Sequence, residues 1–66
     1  MRIHLNGEPI ELPAASTVLE MLLHQDLAER RVAVEVNGAI VPRGTHATRQ
    51  LQDGDRVEIV HALGGG

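Results

Sequence analysis

The alternation of polar and apolar positions predicts short β-strands at both ends of the chain. Residues 2–6 and 9–12 alternate with the period of two that is typical of half-buried strands. Asn6-Gly7 lies between them and predicts a tight turn, since both residues accept positive φ. Pro9 has no N–H to donate, so we expect the second strand of this hairpin at an edge of the sheet.

A helix is predicted over residues 18–25. Thr17 followed by Glu20 forms a capping box just ahead of an apolar run, which is a signature of a helix N-terminus. The apolar positions of the run span an arc of roughly 200°, which is wider than one buried stripe needs. Either Met21 or Leu23 is therefore expected at an edge, partly in water or against a partner.

Three more strands are predicted in the second half of the chain. Residues 32–36 are rich in valine, and Asn37-Gly38 predicts a hairpin to a short strand at 40–41. Residues 43–50 have no period and predict a surface loop, whereas residues 56–61 alternate again. The predicted core positions are Ile3, Leu5, Ile10, Leu12, Val18, Leu22, Leu27, Val32, Val34, Val36, Leu51, Val57 and Ile59.

This order of elements predicts a two-layer α+β domain with one main helix packed on one face of a mixed five-stranded sheet. We interpret it as a ubiquitin-like β-grasp, in which the first and last strands lie side by side at the centre. Residues 1–63 would form the domain and residues 64–66 a flexible C-terminal glycine tail. In the last strand, Glu58 and Val60 are expected to face away from the core.

The length and composition of the chain exclude several classes of function. A chain of 66 residues is too small to hold both a catalytic cleft and a cofactor pocket in its own core. Cysteine, aromatic residues and lysine are absent and the net charge is −3, so we expect no thiolate chemistry and no nucleic-acid binding. No apolar run is long enough for a membrane span and no signal peptide is visible, which predicts a cytoplasmic protein.

No residue pattern indicates a catalytic or metal site. The four histidines, His4, His24, His46 and His61, lack zinc-ligand spacing and are expected to be ordinary surface residues. A cross-strand pair of His4 with His61 is the alternative. Asp53-Gly54-Asp55 is predicted to be a turn and not a functional acid pair. We therefore expect a protein that is not an enzyme and acts through partners.

The C-terminal glycines carry the chemistry that we expect. Gly64 and Gly65 lack side chains and can thread through a narrow channel, so that the α-carboxylate of Gly66 is accessible. An ionised carboxylate is a poor electrophile, so it needs activation, most simply as an acyl-adenylate from ATP. A sulfur nucleophile could then displace AMP and leave a thiocarboxylate. The alternative is a frayed terminus or an engineered scar. We expect Val60, Ala62 and Leu63, which lead to this tail, to dock on partners.

These elements also carry a resemblance to a known family. Its motifs are Ile3-x-Leu5-Asn6-Gly7-Glu8, Thr17-Val18-x-Glu20, Val32-Ala33-Val34-Glu35-x-Asn37-Gly38, Ile40-Val41-Pro42-Arg43, Leu51-x-Asp53-Gly54-Asp55-x-Val57-Glu58-Ile59-Val60 and the terminal Gly65-Gly66. Over essentially its whole length the chain resembles the ThiS family, the sulfur carriers of thiamine biosynthesis. It departs from the family pattern at His46, where tryptophan is frequent, and at Asp26, where a helix-ending glycine is common.

The resemblance implies a cycle of activation and transfer. An adenylating enzyme of the ubiquitin-activating type would use ATP and Mg²⁺ to adenylate Gly66, and the carrier itself would bind no cofactor. Sulfur from a cysteine desulfurase would convert the adenylate to a thiocarboxylate, and thiazole synthase would accept that sulfur. Two alternatives remain: the small subunit of molybdopterin synthase, and a carrier or ubiquitin-like modifier for another thiolation pathway, such as that of tRNA.

Overall fold

The structure is a computed structural model and describes residues 1–61 of the chain. Its elements are β1 (Arg2–Leu5), β2 (Glu8–Glu11), α1 (Val18–His24), β3 (Val32–Val36), β4 (Ala39–Val41), a 3-10 helix (Arg43–Thr45) and β5 (Arg56–His61). The five strands and α1 are the predicted elements, with boundaries that differ by one residue at β1, β2, α1 and β4. The 3-10 helix was not predicted and lies in the segment expected to be a loop. The predicted division of the chain at residue 63 lies outside the described residues.

The five strands form one mixed sheet in the order β2-β1-β5-β3-β4. All neighbouring strands are antiparallel except β1 and β5, which are parallel. The first and last strands are therefore central neighbours, as the sequence predicts, and β2 with its Pro9 lies at an edge. The connection through α1 covers one face of the sheet, which confirms the two-layer β-grasp.

Two Asn-Gly turns close the hairpins and also hold β5 in place. Asn6 and Gly7 have φ of 50° and 86°, and Asn37 and Gly38 have φ of 52° and 85°, the left-handed conformation of tight hairpin turns. Asn6 Oδ1 accepts a hydrogen bond of 2.8 Å from the backbone N–H of Ile59. Asn37 Oδ1 accepts one of 2.9 Å from the N–H of Arg56, so both turns are bonded to the last strand.

The helix begins at the predicted capping box. The Glu20 N–H donates to Thr17 Oγ1 at 3.1 Å, and the Thr17 N–H donates to Glu20 Oε1 at 2.8 Å. Met21 is fully buried and Leu23 is 61% exposed. Leu23 is therefore the residue at the edge of the apolar arc, a position for which the sequence allowed either of the two. Asp26 follows the helix with φ of 61°, a conformation that glycine adopts more easily.

The core fills the space between α1 and the sheet. It consists of Ile3, Leu5, Leu12, Val18, Met21, Leu22, Val34, Val36, Val41, Leu51, Val57 and Ile59. Of the predicted core residues, Ile10, Leu27 and Val32 are only partly buried and pack against this cluster. The alternation in β3 and β5 therefore gives the correct inward face of both strands.

His46 corrects the prediction that all four histidines lie on the surface. It is only 6% exposed, and its Nε2 lies 3.1 Å from the carbonyl oxygen of Val41. The loop that carries it is bound to the start of the helix, because the Leu19 N–H donates to the His46 carbonyl at 2.9 Å. This binding turns His46 inward, whereas His4, His24 and His61 are exposed as predicted.

Candidate functional site

The residues that we expect to carry the chemistry follow directly after β5. Gly66, the threading residues Gly64 and Gly65, and the predicted interface residues Ala62 and Leu63 lie outside the described residues, and their roles stay predictions. The structure does describe the strand that leads to them. β5 is the central strand, bonded to β1 on one side and to β3 on the other.

The sheet face opposite α1 is uncovered and carries apolar side chains. Val60 points to this side and is 56% exposed, as the alternation of the last strand predicts. Its register partner on β3 is Ala33, and Ile40 on β4 is 64% exposed on the same face. We call the patch formed by Ala33, Glu35, Ile40, Glu58 and Val60 the uncovered face.

Two carboxylates lie at the centre of the uncovered face. Glu35 and Glu58 are register partners on β3 and β5, and Ile40 is the partner of Glu35 on its other side. Within residues 1–61 the one ion pair joins Arg2 to Glu11 at 2.6 Å, on the hairpin of β1 and β2. Glu35 and Glu58 therefore lie side by side without an ion-pair partner in this part of the chain.

The Asp-Gly-Asp turn positions the start of β5 and is structural, as predicted. Asp55 is 8% exposed, and its Oδ1 accepts from Asn37 Nδ2 at 3.0 Å while its Oδ2 accepts from the Gln52 N–H at 2.8 Å. Asp53 Oδ1 accepts from the Arg2 N–H at 2.8 Å, so the turn is bonded to β1 as well. These bonds occupy both carboxylates and fix the strand that precedes the tail.

The described part of the chain offers no metal site. In residues 1–61 there is no group of three or more histidine, aspartate or glutamate side chains that could hold an ion. The alternative pair of histidines does not form, because His4 is in register with Arg56 whereas His61 pairs with Val32 at the other end of β5. No helix within the same residues is long and apolar enough to cross a membrane.

Sequence reasoning identified Val60 and missed two features of the uncovered face. Ile40 lies in a strand of three residues, where only its position beside the inward Val41 indicates that it points outward. The juxtaposition of Glu35 with Glu58 depends on the register of β3 against β5, which local patterns do not reveal. The alternation of β5 predicts Glu58 on the outer side, and that of β3 could have suggested the same for Glu35, but neither shows that the two are neighbours.

Comparisons with known proteins agree with this geometry. The model of the ThiS family matches residues 3–66. The chain is 33% identical to the sulfur carrier protein ThiS of Escherichia coli over 66 residues, which is the full length of both. The crystal structure of the thiamine biosynthesis protein ThiS from Geobacter metallireducens superposes with a TM-score of 0.85 at 32% identity, covering all of both chains.

Another relative is much longer than this chain. The thiazole synthase of Magnetococcus marinus is 47% identical over all 66 residues of the chain, which amount to 20% of that protein. The chain spans about a fifth of the length of the thiazole synthases that it matches. In these relatives a segment similar to this chain is thus part of a longer polypeptide.

Proposed function

Because this chain belongs to the ThiS family of sulfur carriers in thiamine biosynthesis, we propose that it carries sulfur as a thiocarboxylate on Gly66 and donates it to thiazole synthase. The observation that carries the proposal is the family match, which runs through the glycines to residue 66. It supports the thiamine pathway over the molybdopterin synthase subunit and the tRNA pathway.

The proposed chemistry uses the main chain and no side chain. An adenylating enzyme of the ubiquitin-activating type joins the Gly66 carboxylate to AMP, using ATP and Mg²⁺ and releasing pyrophosphate. The outer sulfur of a desulfurase persulfide then attacks the acyl carbon and displaces AMP, because the mixed anhydride is a far better electrophile than the ionised acid. A thiol reductant cleaves the resulting acyl disulfide, which leaves the thiocarboxylate on Gly66, the desulfurase thiol and an oxidised thiol. The carrier is a protein co-substrate and not an enzyme, and the absence of cysteine from the chain supports sulfur transfer on the terminal carbonyl.

The geometry supports docking through the side of the sheet that lacks a helix. An exposed apolar patch on a small protein is typical of an interaction site. Val60 leads along β5 toward Ala62 and Leu63, so an enzyme that covers the uncovered face would also receive the glycines. The names of the long relatives support thiazole synthase as one such enzyme.

Intact-mass spectrometry tests the proposed function. The protein is incubated with ATP, Mg²⁺, the adenylating enzyme of the same organism, a cysteine desulfurase with its cysteine, and a thiol reductant. We expect the mass gain of one oxygen exchanged for one sulfur, and no gain when ATP is left out. The proposal would be contradicted if the mass of this protein stayed unchanged with an adenylating enzyme that is active on another sulfur carrier.

We expect Val60→Ser to weaken binding to thiazole synthase by about fourfold to tenfold, because burying a whole valine side chain contributes about 1.5–3 kcal/mol and Val60 is 56% exposed before docking. Titration calorimetry of purified components measures the change in Kd. Leu23→Ser is the matched control, because Leu23 is similarly exposed but lies on the helix side. Equal Kd values for the two variants would show that Val60 does not lie in the interface.

A further inference from the structure

We propose that Glu35 and Glu58 together bind one arginine or lysine side chain of thiazole synthase when the uncovered face docks on that enzyme. The inference rests on the proposed function and adds the chemistry of the contact. It makes the two carboxylates determinants of partner specificity.

Repulsion between Glu35 and Glu58 destabilises the isolated domain. Glutamates directly opposite each other in a sheet have Cβ atoms about 4.5–5.5 Å apart. Two like charges at this distance repel each other and destabilise the sheet. No ion pair within residues 1–61 relieves the repulsion, although Arg56 lies two residues from Glu58 on the same face. An arginine or lysine side chain placed between the two carboxylates would be attracted by both and could donate a hydrogen bond to each.

The apolar neighbours strengthen such a contact. Val60 and Ala33 lie beside the pair toward the tail, and Ile40 lies beside Glu35 toward the sheet edge. When an enzyme covers these side chains, water is excluded from the carboxylates between them. Electrostatic attraction then acts in a less polar surrounding and favours a basic partner over a neutral one.

The negative charge of the uncovered face argues against a second copy of this chain as its binding partner. Two chains that met through their uncovered faces would bring four glutamates together, and each chain carries a net charge of −3. Thiazole synthase is favoured because relatives of that name contain a segment similar to this chain within one polypeptide. Such a linkage raises the effective concentration of the two parts for each other.

The test replaces both carboxylates with the isosteric amide. The double variant Glu35→Gln/Glu58→Gln is compared with Glu8→Gln/Glu29→Gln, which removes the same charge from exposed positions away from the uncovered face. Titration calorimetry gives the Kd for thiazole synthase of the same organism at low and at moderate salt, and thermal unfolding gives the Tm of each free protein.

We expect the Glu35/Glu58 variant to bind at least about tenfold more weakly at low salt, because a charge-assisted contact is lost. Its binding should depend less on salt than that of the native protein, and its Tm should be unchanged or higher because the repulsion is gone. The control variant should keep the native Kd.

Four outcomes would overturn the inference. They are native binding by the Glu35/Glu58 variant, a fall in its Tm, weakened binding to the adenylating enzyme alone, and a stable dimer of the native chain in solution. The first leaves the proposed function intact. Failure of the native protein itself to bind thiazole synthase would instead contradict the proposed function, and the two failures are thereby distinguished.

Discussion

Deletion of Gly66 is expected to abolish thiocarboxylate formation and to leave the folded domain intact. The deletion shortens the maximum reach beyond β5 by about 3.3–3.6 Å, which withdraws the terminal carboxylate from an active site aligned for the full tail. Intact mass after incubation with ATP, the adenylating enzyme and the sulfur source should show no exchange of oxygen for sulfur. The Tm should stay within a few degrees of the native value, since the last core residue within residues 1–61 is Ile59, seven residues before the deleted glycine.

The matched control for this deletion is Gly66→Ala. This variant keeps the length of the chain and its terminal carboxylate and adds only one methyl group, so we expect slow but measurable thiocarboxylate formation. If the shortened chain, which ends in the carboxylate of Gly65, gained sulfur at the native rate, the reaction would not depend on the position of the Gly66 carboxylate. The same result together with a lost signal in Gly66→Ala would indicate a steric role for the glycine.

Met21→Ala is expected to cause the largest loss of stability among single substitutions in the helix. Met21 is fully buried between α1 and the sheet, and truncation of a buried methionine to alanine costs about 2–5 kcal/mol. A domain of this size has a total stability of roughly 3–10 kcal/mol, so a large fraction would be lost. Thermal unfolding followed by circular dichroism should show a Tm lower by about 8 °C or more.

Leu23→Ala, two residues along the same helix, is the matched control. Leu23 is mostly exposed, so its truncation should change the free energy of unfolding by less than about 0.5 kcal/mol. Alanine is also the best helix former, which removes helix propensity as an explanation for a loss at either position. Equal losses of Tm in the two variants would contradict the orientation of α1 described above.

The parts of the fold that sequence reasoning predicted are those set by local chemistry. Asn6-Gly7 and Asn37-Gly38 define turns because both of their residues adopt positive φ, and the turns in turn set the hairpins. Thr17 and Glu20 fix the start of the helix through two hydrogen bonds within one turn. The alternation of polar and apolar residues in β5 is enough to predict Val60 on the outer side of the sheet.

The features that were missed depend on contacts between distant parts of the chain. The segment of residues 43–50 has no hydrophobic period that would predict which of its side chains are buried. His46 is buried because the segment is hydrogen-bonded to the start of the helix, a contact that the residues next to His46 in sequence do not indicate. The pairing of Glu35 with Glu58 joins positions that are far apart in sequence, through a register set by the whole sheet. Of the candidate site, the sequence thus predicted Val60 and Glu58 on the outer side of β5, but not Glu35 as the neighbour of Glu58.

The central position of β5 has a consequence for how the protein is made. A nascent chain that has emerged from the ribosome only as far as Leu51 contains β1 and β3 but lacks the strand that joins them. The native sheet therefore forms only after residues 56–61 have been synthesised, and its formation depends on contacts between the first and last strands. A chain truncated before residues 56–61 lacks the strand that joins the two halves of the sheet, so it cannot form the face that carries Val60 and Glu58.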